Sequence, residues 1–229
     1  RQEDPNSSNF VVSENTQREF RADVCVVTLP LGVLKDKDVK FTPSLPSWKT
    51  DSIANLGFGL LNKCALVFPT CFWTDVDDND FFGYCGTGKT DRGMFFQFWN
   101  MKKCMGRNIL MALIAGAAAH AVEEISKDDT VDACMNALRN IFGKQIPDPH
   151  QAVVTDWKSD EYAKGSYSFV SVNSTTLDYE NLAKSVDKTL FFAGEATNKK
   201  HPATAAGAYE SGLREAEKIY RLFNPIQKL

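Results

Sequence analysis

No C-x-x-C pair, no clustered histidines and no long apolar run occur in this chain of 229 residues. Each absence removes a class of protein. Six cysteines (Cys25, Cys64, Cys71, Cys85, Cys104 and Cys134) stand far apart. They give no support to a disulfide frame or a zinc module, and settings such as "DVCVVTLP" and "LNKCALVFP" predict buried free thiols in a reducing compartment. His120, His150 and His201 are isolated, so no metal is expected. A helical membrane span needs about 20 apolar residues, and the polar start "RQEDPNSSNF" has no signal-peptide core. A soluble chain without membrane attachment is therefore expected. An excess of one charge is missing as well: 26 basic against 29 acidic residues give a net charge of −3, so no direct nucleic acid binding is expected. The final "QKL" departs from the peroxisomal S-K-L address at one position.

What is present reads as an ordinary globular chain of mixed α/β and α+β character. Ala22 to Thr28 is short, β-branched and apolar on both faces, which predicts a buried strand stopped by Pro30 and Gly32, with a loop after it. Pro46 opens a predicted short helix through Leu56. "LLNKCALVFP" predicts a strand ending at Pro69, and "DFFGYCG", "RGMFFQFWNM" and "NILMALIAG" continue as aromatic or β-rich strands. Ser126 with Asp129 resembles a capping box, and Val131, Cys134, Met135, Leu138 and Phe142 then recur at helical spacing up to Gly143. "QAVVTDW", "SYSFV" and "KTLFFAGE" predict three more strands, and Ala205 to Phe223 the longest helix.

Gly83 to Thr90, "GYCGTGKT", satisfies the literal phosphate-loop pattern. That motif works only where its lysine opens a helix whose amides point at phosphate. "DRGMFFQFW" follows instead, so a glycine-rich hairpin loop is expected. "GFGLLN" at Gly57 follows a helix and precedes a strand, the reverse of a dinucleotide fingerprint.

The stretch "LFFAGEATNKKHPATAAGAYESGLREA", Leu190 to Ala216, carries more. After a buried strand end, Gly194 permits close approach of a ligand and Glu195 presents a carboxylate. Thr204 is a natural N-cap, which leaves helix-start amides near the same point, with small residues from Ala203 to Ala208 keeping that end open. A carboxylate suits sugar-type hydroxyls and a helix start suits a developing anion, a combination offered by a flavin. An ordinary strand–loop–helix packing unit fits the same residues. In "LLNKCALVF", alternation places Leu61, Lys63, Ala65 and Val67 on one face, so Lys63 shares an apolar surface. A strand-edge lysine reaching water fits that pattern too.

"AGEAT", "HPATAAGAYESGLREA", "VTLPLGVLK", "LGFGLLNK" and "TDW" followed by "GSYSFV" resemble, in order, the C-terminal half of the flavin-dependent amine oxidases, nearest to the lysine-specific histone demethylases. The resemblance implies part of an FAD-binding Rossmann-like domain with an inserted mixed-sheet substrate domain. Residues 1–59 and 173–229 would belong to the FAD domain and 60–172 to the substrate domain. It also implies that Thr28, Leu29, Pro30, Trp157, Tyr162, Ser166, Gly194, Glu195, Ala203, Thr204, Ala205 and Ala208 contact FAD, and that Tyr167 and Thr204 line the amine's path. Monoamine oxidases carry an aromatic where Thr204 stands, so the resemblance implies a wider cavity. The family's counterpart of Lys63 holds a water beside flavin N5, which makes Lys63 the catalytic candidate.

The implied reaction oxidises an amine to an imine that water hydrolyses, with peroxide released. The implied substrate is a methylated histone tail or, alternatively, a polyamine. A chromatin corepressor-type partner and a nuclear location follow from the first, a cytoplasmic or peroxisomal one from the second. Tyr162 after "DE" and Ala117 in "IAGAAAHA" depart from the demethylase pattern. No G-x-G-x-x-G strand-turn-helix occurs before Ala22, so the chain is expected to be a fragment that needs the upstream half of the domain. A noncatalytic remnant of a flavoprotein is the remaining alternative.

Overall fold

The computed structural model describes residues 10–13, 19–86 and 92–225, and the chain divides into two compact units, 1–58 with 167–229 and 59–166. The terminal segments "RQEDPNSSN" and "IQKL", and the second half of the phosphate-loop look-alike with Lys89 and Thr90, lie outside the described residues.

The first unit is built from both ends of the chain. β1 (Phe10–Ser13) and β2 (Glu19–Ala22) form an antiparallel pair, and β3 (Cys25–Val27) pairs in parallel with β11 (Leu190–Phe192). The loop expected after Pro30 is instead a helix, α1 (Leu31–Asp36), with Pro30 at its N-cap and Leu31, Gly32 and Val33 buried. Pro30 ends the strand as anticipated, but its fixed φ also suits a helix entrance, and tertiary burial outweighs the poor helix propensity of Gly32. α2 (Ser47–Asn55) follows Pro46, and β4 (Gly57–Gly59) pairs with β10 (Tyr167–Phe169). A Cβ at Gly57 would stand 2.4 Å from the Phe169 ring, so a larger residue there would have to displace that half-exposed phenyl. α6 (Thr176–Ala183) and α7 (Ala205–Phe223) complete the unit. One core cluster joins Leu31, Ile53, Leu56, Tyr179, Leu182 and Ala196, and a second joins Val27, Leu190 and Phe192.

The second unit holds a five-stranded sheet ordered β6 (Phe81–Gly83), β7 (Gln97–Asn100), β8 (Ile109–Ala115), β5 (Leu61–Val67) and β9 (Gln151–Val154). Strict alternation in β5 and β8 buries Asn62, Cys64 and Leu66 beside Leu110, Ala112 and Ile114. α5 (Lys127–Phe142) lays Cys134, Met135 and Leu138 into the same core, and the short helices α3 (Lys102–Met105) and α4 (Ala117–Val122) flank β8 in sequence. Ser126 caps α5 by accepting from Asp129 N at 3.0 Å. Of the six thiols, Cys64 and Cys134 are buried and free, whereas Cys85 and Cys104 are exposed, so uniform burial does not hold. Cys104 sits in the polar "KKCM", and Cys85 lies past the end of β6, which stops at Gly83, short of the strand that "DFFGYCG" predicts. Among the described residues no helix is long and apolar enough to cross a membrane, and no cluster of His, Cys, Asp and Glu could hold a metal.

Candidate active site

In the first unit, β3 and β11 end together, with Ala193 N donating to Val27 O at 3.0 Å. Thr28, Leu29 and Pro30 leave one strand and Gly194 and Glu195 leave the other, at the carboxyl edge where open parallel sheets bind ligands. Gly194 has φ +125°, with open space where a Cβ would stand. Its amide donates to Ser211 Oγ at 2.8 Å, so the residue offers a bare backbone surface and no spare donor. Arg214 braces this corner from α7, donating to Phe192 O at 3.1 Å and Thr197 O at 2.9 Å.

The Glu195 carboxylate is committed to the fold. It accepts from Ser168 N at 3.0 Å, Ser168 Oγ at 2.6 Å and Ala203 N at 2.7 Å. Ser168 Oγ also meets the hydroxyl of buried Tyr179 at 3.2 Å. A carboxylate offers about four acceptor sites, so one remains for a ligand hydroxyl.

Thr204 is the N-cap of α7, its Oγ1 accepting from Gly207 N at 2.9 Å. The amides of Ala205 and Ala206 are those a helix start leaves without an intrahelical acceptor, and both residues are exposed. Gly207 plays a different part from the expected one of keeping the ligand space clear. A Cβ there would lie 1.9 Å from His201 O, so the glycine lets the 198–204 loop close onto the helix. Buried Asn198 holds that loop, donating to Gly207 O at 3.0 Å and accepting from His201 N at 3.1 Å. Ala203 sits at φ +60°, and Ala208 N closes the first turn onto Thr204 O at 3.0 Å. Tyr167 opens β10, 37% exposed, beside the serine that grips Glu195.

Lys63, Trp157, Tyr162 and Ser166 belong to the second unit. Lys63 is half-buried on the face it shares with Leu61, Ala65 and Val67. Its strand lies between β8 and β9, so the strand-edge reading does not apply. Its N–H donates to Thr155 Oγ1 at 2.8 Å, and its carbonyl accepts from Thr155 N at 3.0 Å. Among the described residues its ammonium has no hydrogen bond or ion pair. Trp157 and Tyr162 are exposed, and the hydrogen bond that the Tyr162 phenol donates to the Glu161 carboxylate, with that carboxylate's charge, raises the phenol above its usual range. Both hydrogen bonds of the Ser166 hydroxyl go to the Leu61 backbone, accepting from N at 2.9 Å and donating to O at 3.2 Å.

Sequence reasoning passed over four residues that shape these places: Ser168, Tyr179, Asn62 and Glu123. Only Asn62 carried a readable signal, because the alternation that sets Lys63 on one face sets Asn62 among core residues on the other.

Residues 3–220 match the family described as flavin containing amine oxidoreductase. The chain belongs to that family. It is 46% identical over 209 residues to lysine-specific histone demethylase 1 homolog 3 of Arabidopsis thaliana, covering 91% of this chain and 13% of that one. It is 44% identical over 228 residues to a possible lysine-specific histone demethylase 1 of Drosophila melanogaster, covering 90% of this chain and 25% of that one. The fold of this chain matches a wild-type putrescine oxidase bound to putrescine, with a TM-score of 0.77 at 19% identity over 94% of this chain and 46% of that one. The chain thus spans a small part of the curated relatives and about half of the matched structure.

A flavin cofactor fits what the first unit presents. The bare face at Gly194 admits a flat ring system, the remaining acceptor site of Glu195 suits a hydroxyl, and the free amides of Ala205 and Ala206 suit an oxygen that gains negative charge.

Proposed function

We propose that this chain is the C-terminal half of the catalytic domain of an FAD-dependent lysine-specific histone demethylase. The observation that carries this reading is identity of 44–46% to demethylases of a plant and an insect over about nine-tenths of the chain. The fold likeness to putrescine oxidase, at 19% identity, bears on architecture and not on substrate.

In this reading Glu195, Gly194 and the start of α7 hold the ribityl and ring edge of FAD, with Thr28, Leu29, Pro30, Ala203, Thr204, Ala205 and Ala208 around them. Trp157, Tyr162 and Ser166 contribute from the substrate-domain segment. Bound FAD supplies the two-electron acceptor for oxidation of the methylated amine's C–N bond. Lys63, unpaired and half-buried on an apolar face, positions water and moves a proton during turnover. Tyr167 guides the amine, and the short side chain of Thr204 leaves room for a lysine that carries its backbone. A nuclear location and a corepressor-type partner belong to the same reading, as does dependence on the upstream half of the domain.

The test uses a protein that includes the whole amine oxidase domain. It should purify yellow, with an absorbance band near about 450 nm, and release peroxide with methylated-lysine histone peptide. Lys63→Met should keep the fold and the flavin, yet lose about a hundredfold or more in turnover. Oxidation of polyamines but not of peptide would establish the polyamine alternative, and parent-level activity in Lys63→Met would reject the role of that lysine.

A further inference from the structure

Asn62 is a polar residue in a core. It lies on the buried face of β5, 0% exposed, with Cys64 and Leu66. Burying an amide is costly unless its hydrogen-bonding capacity is filled, and here all of it is. Nδ2 donates to Ala119 O at 3.2 Å and to Glu123 Oε1 at 2.7 Å, while Oδ1 accepts from Thr155 Oγ1 at 3.0 Å and from Trp157 N at 3.2 Å.

Glu123, at the end of α4, is filled in the same way. Besides Asn62, its carboxylate accepts from Lys158 N at 3.0 Å, Ser159 N at 2.9 Å and Ser159 Oγ at 2.7 Å. That makes four donors on the about four acceptor sites a carboxylate has. Every partner but Asn62 lies in the turn that carries Trp157. The charge-assisted bonds are of the strong kind, and together they hold the carboxyl below its usual range against the opposing effect of burial.

The two fully satisfied side chains converge on one short segment. Thr155 Oγ1 accepts from Lys63 N and donates to Asn62 Oδ1. Lys63 and Trp157 are therefore each a single hydrogen bond from the same Asn62–Thr155 pair. A satisfied polar network of this kind specifies one local geometry where an apolar core would tolerate several.

We infer that Asn62 and Glu123 are positioning residues for the amine oxidase reaction, clamping the 155–159 turn so that Trp157 and Lys63 are presented in one fixed arrangement. The inference rests on the flavin reading above, in which Trp157 and Lys63 act at the cofactor and at the water.

Two measurements test it. Hydrogen exchange on this chain, which needs neither flavin nor turnover, should show the Lys158 and Ser159 amides exchanging about tenfold or more faster in Glu123→Ala. Glu123→Gln keeps one acceptor oxygen but sets an NH2 against Ser159, so protection should return at Lys158 only. Unchanged exchange in both variants overturns the clamp.

The second measurement uses the FAD-loaded whole protein. Glu123→Ala and Asn62→Ala should alter the visible circular dichroism of the flavin and lower kcat about tenfold or more with KM for the amine near the parent value. Faster exchange with an unchanged flavin spectrum and kcat reduces the pair to structural residues and overturns the inference. A parent protein that carries no FAD is a separate result: it overturns the flavin reading itself, and with it any catalytic consequence of the clamp.

Discussion

Lys49 shows what burial does to a single side chain. It is 0% exposed, with Nζ donating to Leu182 O at 2.7 Å and Asn181 O at 3.2 Å and standing 3.6 Å from the Phe192 ring centroid. Burial lowers its pKa to about 7, with Lys218, Lys184 and Arg214 acting in the same direction and Glu215 against. A lysine whose folded pKa lies below its unfolded value binds fewer protons in the folded state between the two, so stability rises with pH across that window. The chain should therefore gain thermal stability from about pH 7 toward the ordinary lysine pKa of 10.5. Lys49→Met should remove that slope while stranding two carbonyls at the end of α6, at a cost of about 1–3 kcal/mol each. Melting curves across pH, parent against variant, check both parts, and an unaltered slope in the variant would refute the assignment.

Two glycines on α7 make a paired test at the same scale. Gly207→Ala drives a Cβ into the His201 carbonyl, a backbone atom that cannot swing away, and should cost about 1–3 kcal/mol. Gly212→Ala enters open space on the same helix and should gain about 0.5–1 kcal/mol from helix propensity. Denaturant midpoints of the two variants should move in opposite directions.

At the scale of the element, α6 depends on its cap and on tertiary contacts more than on its own amphipathicity. Thr175 Oγ1 accepts from Leu177 N at 3.2 Å, and the Asp178 carboxylate accepts from Thr175 N at 2.9 Å. Inward-facing Tyr179 and Leu182 then join Leu31, Ile53 and Leu56 in one cluster. Thr175→Ala should cost about 1 kcal/mol, the usual price of a lost N-cap, measured by chemical denaturation. Because the hydroxyl of Tyr179 meets Ser168, which grips Glu195, this helix links the core of the first unit to the Glu195 carboxylate.

For the whole molecule, the two units differ in how they depend on chain continuity. The large cluster around Cys64, Phe98, Ile114 and Leu138 draws all its members from 59–166. The smaller clusters of the first unit need residues from both ends of the chain. The segment 59–166 expressed alone should therefore unfold cooperatively with native-like circular dichroism, whereas 167–229 alone should not. A non-cooperative melt of 59–166 would show that its core is insufficient by itself.

Periodicity by itself determined much of this protein: α5 with its Ser126 cap, α7 from Ala205 to Phe223, and the alternating strand around Lys63. Those elements are long or strongly patterned, and their caps are local, so neighbouring residues alone carry the information. Only the tertiary structure decided the rest. The helix after Pro30 forms because burial overrides Gly32, and Gly207 is required because the preceding 198–204 loop folds back until His201 O lies against it. Ser168, which grips Glu195, and the partners of Asn62 and Glu123 come from segments tens of residues away. A hydrogen bond between remote segments depends on where the fold brings the chain, which no local pattern encodes.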